Sequence, residues 1–276
     1  MLKQGDLVYR KSYGGDILFK IQETARNLAI LKGIDYRLLA DSPISDLILA
    51  RQVNEAMFGF PHERIDEFVR LKKREHQSSR KAPYFDIPGK VLHLDGDQGY
   101  LRKSMEIYKE LRIPAEGYHV EEAYMPAALR QILPRSRPDI LVITGHDGII
   151  KNRRDIQNLN NYKNSYNFMK AVMTARQYER DRDALIIVAG ACQSHFEALL
   201  QAGANFASSP GRVLIHALDP LYIAAKAAYT SIRETIDVFE VIGNTYSGMD
   251  GLGGIETRGS YRRGLARIRS GANANV

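Results

Sequence analysis

From Pro88 onward the chain alternates uninterrupted apolar runs of strand length with stretches of helical period, and that alternation leaves few folds open. Val91-Leu92-His93-Leu94, Ile140-Leu141-Val142-Ile143 and Ala184 to Ala189 carry almost no polar face. Strands of that kind are buried on both sides, as happens when helices cover both faces of a parallel sheet. The segments between them supply the helices. Leu101, Met105, Tyr108 and Leu111 recur at spacings of 4, 3 and 3. Leu129 and Ile132 do the same between Met125 and Leu133, Phe168, Val172 and Ala175 follow the second run, and Phe196, Leu199 and Leu200 follow the third. Gly117 to Val120 reads as a weaker strand, Val213 to His216 as another, Leu221 to Ile232 as a helix and Val238 to Ile242 as a last strand. The expected class is α/β: a doubly wound, mostly parallel sheet with helices on both faces. Ser247 to Gly259 is Gly-rich and reads as a flexible loop beside the site, ahead of a basic tail with Arg262, Arg263, Arg267 and Arg269.

The first 43 residues have a different rhythm, short apolar runs between turn signals, which predicts a small SH3-like β-barrel. Pro43 then opens a helical pattern through Leu47 to Val53, and Pro61 a second one with Ile65, Phe68 and Val69. Arg70 to Lys81 is basic and poor in packing residues, so it reads as an exposed linker. The expected division is 1–60 for the barrel and a helix, 61–87 for a helix and the basic linker, and 88–276 for the α/β domain.

Composition narrows the function. The 276 residues are 44% apolar and 26% charged, which argues against collagen-like, coiled-coil and disordered chains. The most apolar long stretch, Val213 to Ile232, contains His216, Asp219 and Lys226 and does not read as a membrane span. The N-terminus lacks a secretory signal pattern, so a reducing, intracellular setting is expected. A single cysteine, Cys192, excludes an internal disulfide and a multi-thiolate zinc site. The net charge of +7 could serve a nucleic acid. However, aromatic residues are not interleaved with a dense basic patch, and Gly-rich phosphate cradles are absent, so neither nucleic acid nor a nucleotide cofactor is expected.

Reactive groups in such a sheet collect beyond the carboxyl ends of the strands. Three ends carry capable residues: Asp95 and Asp97, His146, and Cys192. Cys192 lies where a strand turns toward a helix, and a helix N-terminus would lower its pKa. His146 can act as its general acid and base, so a cysteine–histidine dyad is the expected chemistry. His62, His76, His93 and His119 read as structural or solvated, His195 as too far round the next helix, and His216 as the rival base. Asp147 could orient His146 or cap the turn after it, and the cap is the favoured reading.

The two strand ends, Gly145-His146 and Ala191-Cys192-Gln193, resemble those of the caspase-like cysteine peptidases, the group of caspases, clostripain, gingipains, legumain and separase. The histidine precedes the cysteine by 46 residues, close to the caspase spacing of about 50. Gly190, Ser194 and Asp147 depart from that group's usual residues. More of the chain resembles the YabG family of sporulation-specific proteases, in GDLVYRKSYGGDILFKI, VITGHDG, GACQSHFEAL and SGMDGLGGIETRGSYRRGL.

These resemblances imply a caspase-like fold and a cysteine endopeptidase needing no cofactor. They imply cleavage of spore coat and coat-assembly proteins at arginine sites, in the mother-cell cytoplasm beside the forming coat. Cys192 and His146 take the catalytic places, and the backbone N–H groups of Asp147 and Cys192 the oxyanion site. An arginine pocket needs a buried carboxylate, for which Asp95 and Asp97 are the leading candidates and Asp219 and Asp250 the reserves. Arg70, Arg74 and Arg80 are candidate self-cleavage sites. The alternatives are a class I glutamine amidotransferase-like hydrolase using Cys192 and His216, and a non-enzymatic binding or scaffold module.

Overall fold

The computed structural model describes residues 2–50, 63–78 and 84–265. The N-terminal part is a five-stranded antiparallel sheet of β1 (Leu7–Arg10), β2 (Phe19–Ala25), β3 (Leu28–Gly33), β4 (Leu39–Pro43) and β5 (Leu47–Leu49), in the order β4-β3-β2-β1-β5. One face packs Val8, Phe19, Ile21, Ala29 and Leu31 into a small core of its own. The helix expected from Pro43 is absent as far as residue 50. Pro43 ends β4, a short 3-10 turn follows over Ile44–Asp46, and Ile48 pairs with Tyr9. Cross-strand pairing there overrides a helical spacing of only a few residues. The rest of that pattern lies outside the described residues.

Helix α1 (Glu63–Ser78) carries the second expected helix and continues through most of the basic run. Ile65 and Val69 anchor it to the main core. The run expected as a linker is thus helical to Ser78, since Lys and Arg are good helix formers and α1 buries one stripe. Arg70 and Arg74 lie inside this helix, and Arg80 lies outside the described residues. The self-cleavage expected at Arg70 or Arg74 would first require α1 to open.

The main domain is built on β7 (Val91–Asp95), α2 (Gln98–Glu110), β8 (Ala115–His119), α3 (Met125–Ser136), β9 (Ile140–Thr144), α4 (Ser165–Tyr178), β10 (Ile186–Ala189), α5 (Phe196–Ala202) and β11 (Phe206–Ser208). It continues with α6 (Asp219–Tyr229), α7 (Val238–Gly243), α8 (Gly248–Gly251) and β12 (Leu252–Gly254). The sheet order is β12-β11-β10-β9-β7-β8, parallel except for β12. Beside it β6 (Phe85–Ile87) pairs with β13 (Arg262–Gly264), which takes Arg262 and Arg263 out of the expected tail. Alternate strand residues divide the core. Val91, Ile140, Val142, Ile186 and Val188 face α1, α2, α6 and α7, and Leu92, Leu94, Leu141, Ile143 and Ile187 face α3, α4 and α5. No helix among the described residues is long and apolar enough to cross a membrane.

Three expectations fail at the C-terminal end. Val213 to His216 does not join the central sheet; the fifth parallel strand is β11, only three residues long and too short to leave a pattern. Val238 to Ile242 is helix α7, because Asp237 caps it by accepting the Glu240 N–H at 3.0 Å. The Gly-rich stretch is no flexible loop. It forms α8 and β12, and β12 closes the sheet edge where a Cβ on Gly254 would strike the Phe206 ring.

Candidate active site

Strands β8 and β9 lie on opposite sides of β7, so the chain reverses direction at the carboxyl ends of β7 and β9, where open α/β sheets form their crevice. Asp95 pairs in register with Thr144, and Ile143 with Ala189. The expected residues Asp95, Asp97, His146 and Cys192 therefore follow three adjacent strands out onto one rim.

His146 is held from several sides. Its backbone N–H donates to Glu122 Oε1 at 2.7 Å and its carbonyl accepts from Asn164 Nδ2 at 2.9 Å. Position 145 has to be glycine for this, since a Cβ would lie 2.3 Å from that Glu122 oxygen. The imidazole Nε2 lies 3.0 Å from Asp97 Oδ2. Asp97 also caps α2, accepting the N–H groups of Gly99 and Tyr100, and pairs with Lys32 Nζ at 2.5 Å. Burial opposes its charge, but the bonds from His146 and Lys32 outweigh that and hold its carboxyl well below the usual range. An ionised Asp97 can only accept, so Nε2 carries the proton and Nδ1 presents its lone pair. Nδ1 is buried without a hydrogen-bond partner among the described residues, which suits a base awaiting a proton.

Asp147 does not touch the imidazole. Its carboxylate accepts from Gly148 N–H, Asn164 N–H, Ser165 Oγ and Ser194 Oγ. It ties the end of β9 to the start of α4 and to the loop after β10. That loop turns at Gly190, whose φ of 107° and close approach to Leu199 and Ser208 leave no place for a side chain. Cys192 follows at 1% exposure. Its sulfur receives the Ile215 N–H at 3.3 Å. The expected helix-dipole effect is absent because α5 starts only at Phe196, capped by His195. Burial instead lifts the thiol to about 11.

The buried partner of Asp95 is Arg37, from the β3–β4 loop. Both oxygens of Asp95 meet the guanidinium at 2.9 Å with both side chains fully buried. Burial works against the charge, but Arg37 holds the Asp95 carboxyl down to about 2.

A family model of the YabG peptidase U57 matches residues 3–266. The chain is 46% identical over 280 residues to the sporulation-specific protease YabG of Bacillus subtilis (strain 168), covering 95% of this chain and 97% of that relative. The chain belongs to the YabG peptidase family. No solved structure matches it.

Within this YabG-family site the other histidines are engaged elsewhere. His195 Nδ1 accepts the Ala198 N–H and its Nε2 meets the Gln157 carbonyl. His216 Nδ1 accepts the Leu218 N–H, and its ring stacks on Tyr246 at 4.2 Å. His93 is buried against Tyr108, and His119 reaches the Gly96 carbonyl. His62 lies outside the described residues. Of the reserve carboxylates, Asp219 accepts the Tyr246 and Ser247 N–H groups, and burial lifts its carboxyl to about 6. Asp250 lies in α8. Lys32, Arg37, Glu122 and Ile215 were not legible as site residues. Each acts through a partner far along the chain, with no local motif.

The raised thiol makes a prediction. At pH 7 the resting protein should react with iodoacetamide about 100-fold more slowly than a free cysteine, and the rate should climb with pH toward about 11. Mass spectrometry of timed reactions measures this, and fast labelling at pH 7 would contradict the thiol's burial.

Proposed function

We propose that this YabG-family protein is a cysteine endopeptidase of sporulating cells, cutting spore coat and coat-assembly proteins after arginine in the mother cell beside the forming coat. The family match and the identity to the sporulation-specific protease support the setting. The observation that carries the chemistry is a single rim bearing a thiol and an imidazole whose far nitrogen is bonded to a carboxylate. The caspase-like reading rests on the strand order and on the histidine-before-cysteine placement.

In the reaction the thiol proton passes to His146 Nδ1 and the sulfur of Cys192 attacks the scissile carbonyl carbon. The tetrahedral oxyanion takes the backbone N–H groups of Cys192 and Asp147, which carry no hydrogen bond among the described residues. His146 then gives its proton to the departing amine as the C–N bond breaks, leaving a thioester. It next removes a proton from water, which attacks the thioester and releases the acid. Asp97 keeps the imidazole in the productive tautomer throughout, so it is a positioning residue. The arginine of the substrate finds its countercharge at Asp95, the fully buried carboxylate already paired with a guanidinium.

Two measurements test this reading. Fluorogenic peptides with arginine before the reporter should be cleaved in preference to those with a neutral residue, and failure to cleave any arginyl peptide would refute it. Asp97→Asn should lower kcat by about 10²–10⁴ with little change in KM, because the base loses its orientation and not its substrate. A change confined to KM would instead make Asp97 a substrate contact. The amidotransferase alternative needs His216 as the base, and no observation favours it because its Nδ1 is already occupied by Leu218 N–H.

A further inference from the structure

The β3–β4 loop reaches the same rim and pairs with it over a short stretch of main chain. Tyr36 forms an antiparallel bridge with His216. On either side the Ala217 N–H donates to the Asp35 carbonyl at 2.6 Å, and the Arg37 N–H to the Ile215 carbonyl at 3.4 Å. Residue 215 is the one whose own N–H reaches the Cys192 sulfur. Arg37 thus lies on the main-chain edge next to the thiol and sends its guanidinium into the Asp95 carboxylate, with a further bond to the Ala217 carbonyl at 3.1 Å. A peptide held by main-chain pairing at an exposed edge, with one side chain in a specificity pocket, is the ordinary way an extended ligand is bound.

Beyond Arg37 the likeness to a bound substrate stops. The Leu38 N–H folds back to the Tyr36 carbonyl at 2.8 Å and the Gly33 N–H meets the Leu38 carbonyl at 2.8 Å, so the chain turns sharply away. The Tyr100 hydroxyl clamps the turn by sharing its one proton between the carbonyls of Gly33 and Tyr36, at 2.6 and 2.7 Å. The bond after Arg37 is held in a tight turn and not in the extended form that a nucleophile attacks.

We propose that Asp35-Tyr36-Arg37 occupies the substrate groove of this peptidase as a built-in arginyl strand, with residues 215–217 as the groove edge and Asp95 as the guanidinium seat. This rests on the peptidase reading given above. An arginyl substrate takes the same edge and the same carboxylate, so the resident strand must leave before cleavage. The N-terminal sheet is then an intramolecular competitor that keeps the enzyme closed until a substrate displaces it. The Arg37 backbone also bonds to the thiol, and a nucleophile left at 1% exposure cannot meet a polypeptide.

The test compares the full-length wild type with Arg37→Ala, and with Tyr100→Phe, which loosens the turn but leaves the groove and the Asp95 seat intact. Iodoacetamide labelling of Cys192 and hydrolysis of an arginyl fluorogenic peptide are followed on each, with circular dichroism as the check on folding. Labelling and kcat/KM should both rise by about tenfold or more in Arg37→Ala and in the same direction, by less, in Tyr100→Phe. If Arg37→Ala does not fold, Tyr100→Phe alone decides by the sign of its change. Unchanged or slower labelling in a folded variant, while the wild type cleaves the peptide, overturns the built-in strand and leaves the peptidase reading standing. Faster labelling with no cleavage by any form overturns both.

Discussion

Cys192→Ala is expected to abolish peptide hydrolysis, with kcat falling on the order of 10⁴–10⁶-fold while the protein stays folded. The whole covalent path runs through the sulfur, and alanine offers neither a nucleophile nor a proton to pass to His146. The structural cost is small by comparison. Cys192 contributes one buried sulfur whose polar contacts include the N–H and carbonyl of Ile215 and the backbone of Arg37, so losing it should cost about 1 kcal/mol. Hydrolysis of an arginyl peptide and thermal unfolding measure the two sides, and activity within tenfold of wild type would remove Cys192 from the mechanism.

Asp95→Asn is expected to act on specificity and stability together. A neutral amide cannot balance a guanidinium in a dry site, so the preference for arginine over a neutral residue should fall by about 10²–10³. The same change leaves Arg37 buried without its counter-ion, which typically costs about 3–5 kcal/mol. The pH dependence gives an independent signature. Asp95 has a folded-state pKa of about 2, below its ordinary 3.8, so its ionisation contributes stability that is fully present above 3.8 and lost as pH falls toward 2. The shift corresponds to about 2 kcal/mol. Wild type should therefore lose that much stability between pH 4 and 2, and Asp95→Asn, already weakened, should lose less over the same window. Selectivity unchanged in the variant would exclude Asp95 as the guanidinium seat.

The readable part of the site came from strand ends. Apolar runs as continuous as Ile140 to Ile143 declare themselves buried, and the polar residues after them must emerge at the rim, so His146, Cys192, Asp95 and Asp97 could be named from local pattern. The roles within that set were less readable. Asp97, whose carboxylate meets His146, differs from Asp95, which meets a guanidinium, only in the direction each side chain takes on its side of Gly96. Likewise Val238 to Ile242 has strand composition, and the cap at Asp237 is what makes it helical.

What the sequence by itself determined is the alternation of sheet and helix and which polar residues stand at the strand ends, because both follow from side-chain pattern over ten or so residues. Only the tertiary structure decided that the N-terminal sheet reaches the rim at the carboxyl ends of β7 and β9, bringing Lys32 to Asp97 across 65 residues and Arg37 to Asp95 across 58. A buried charge pair between distant segments imposes no pattern on the residues around either partner, so it exists only once the chain is folded.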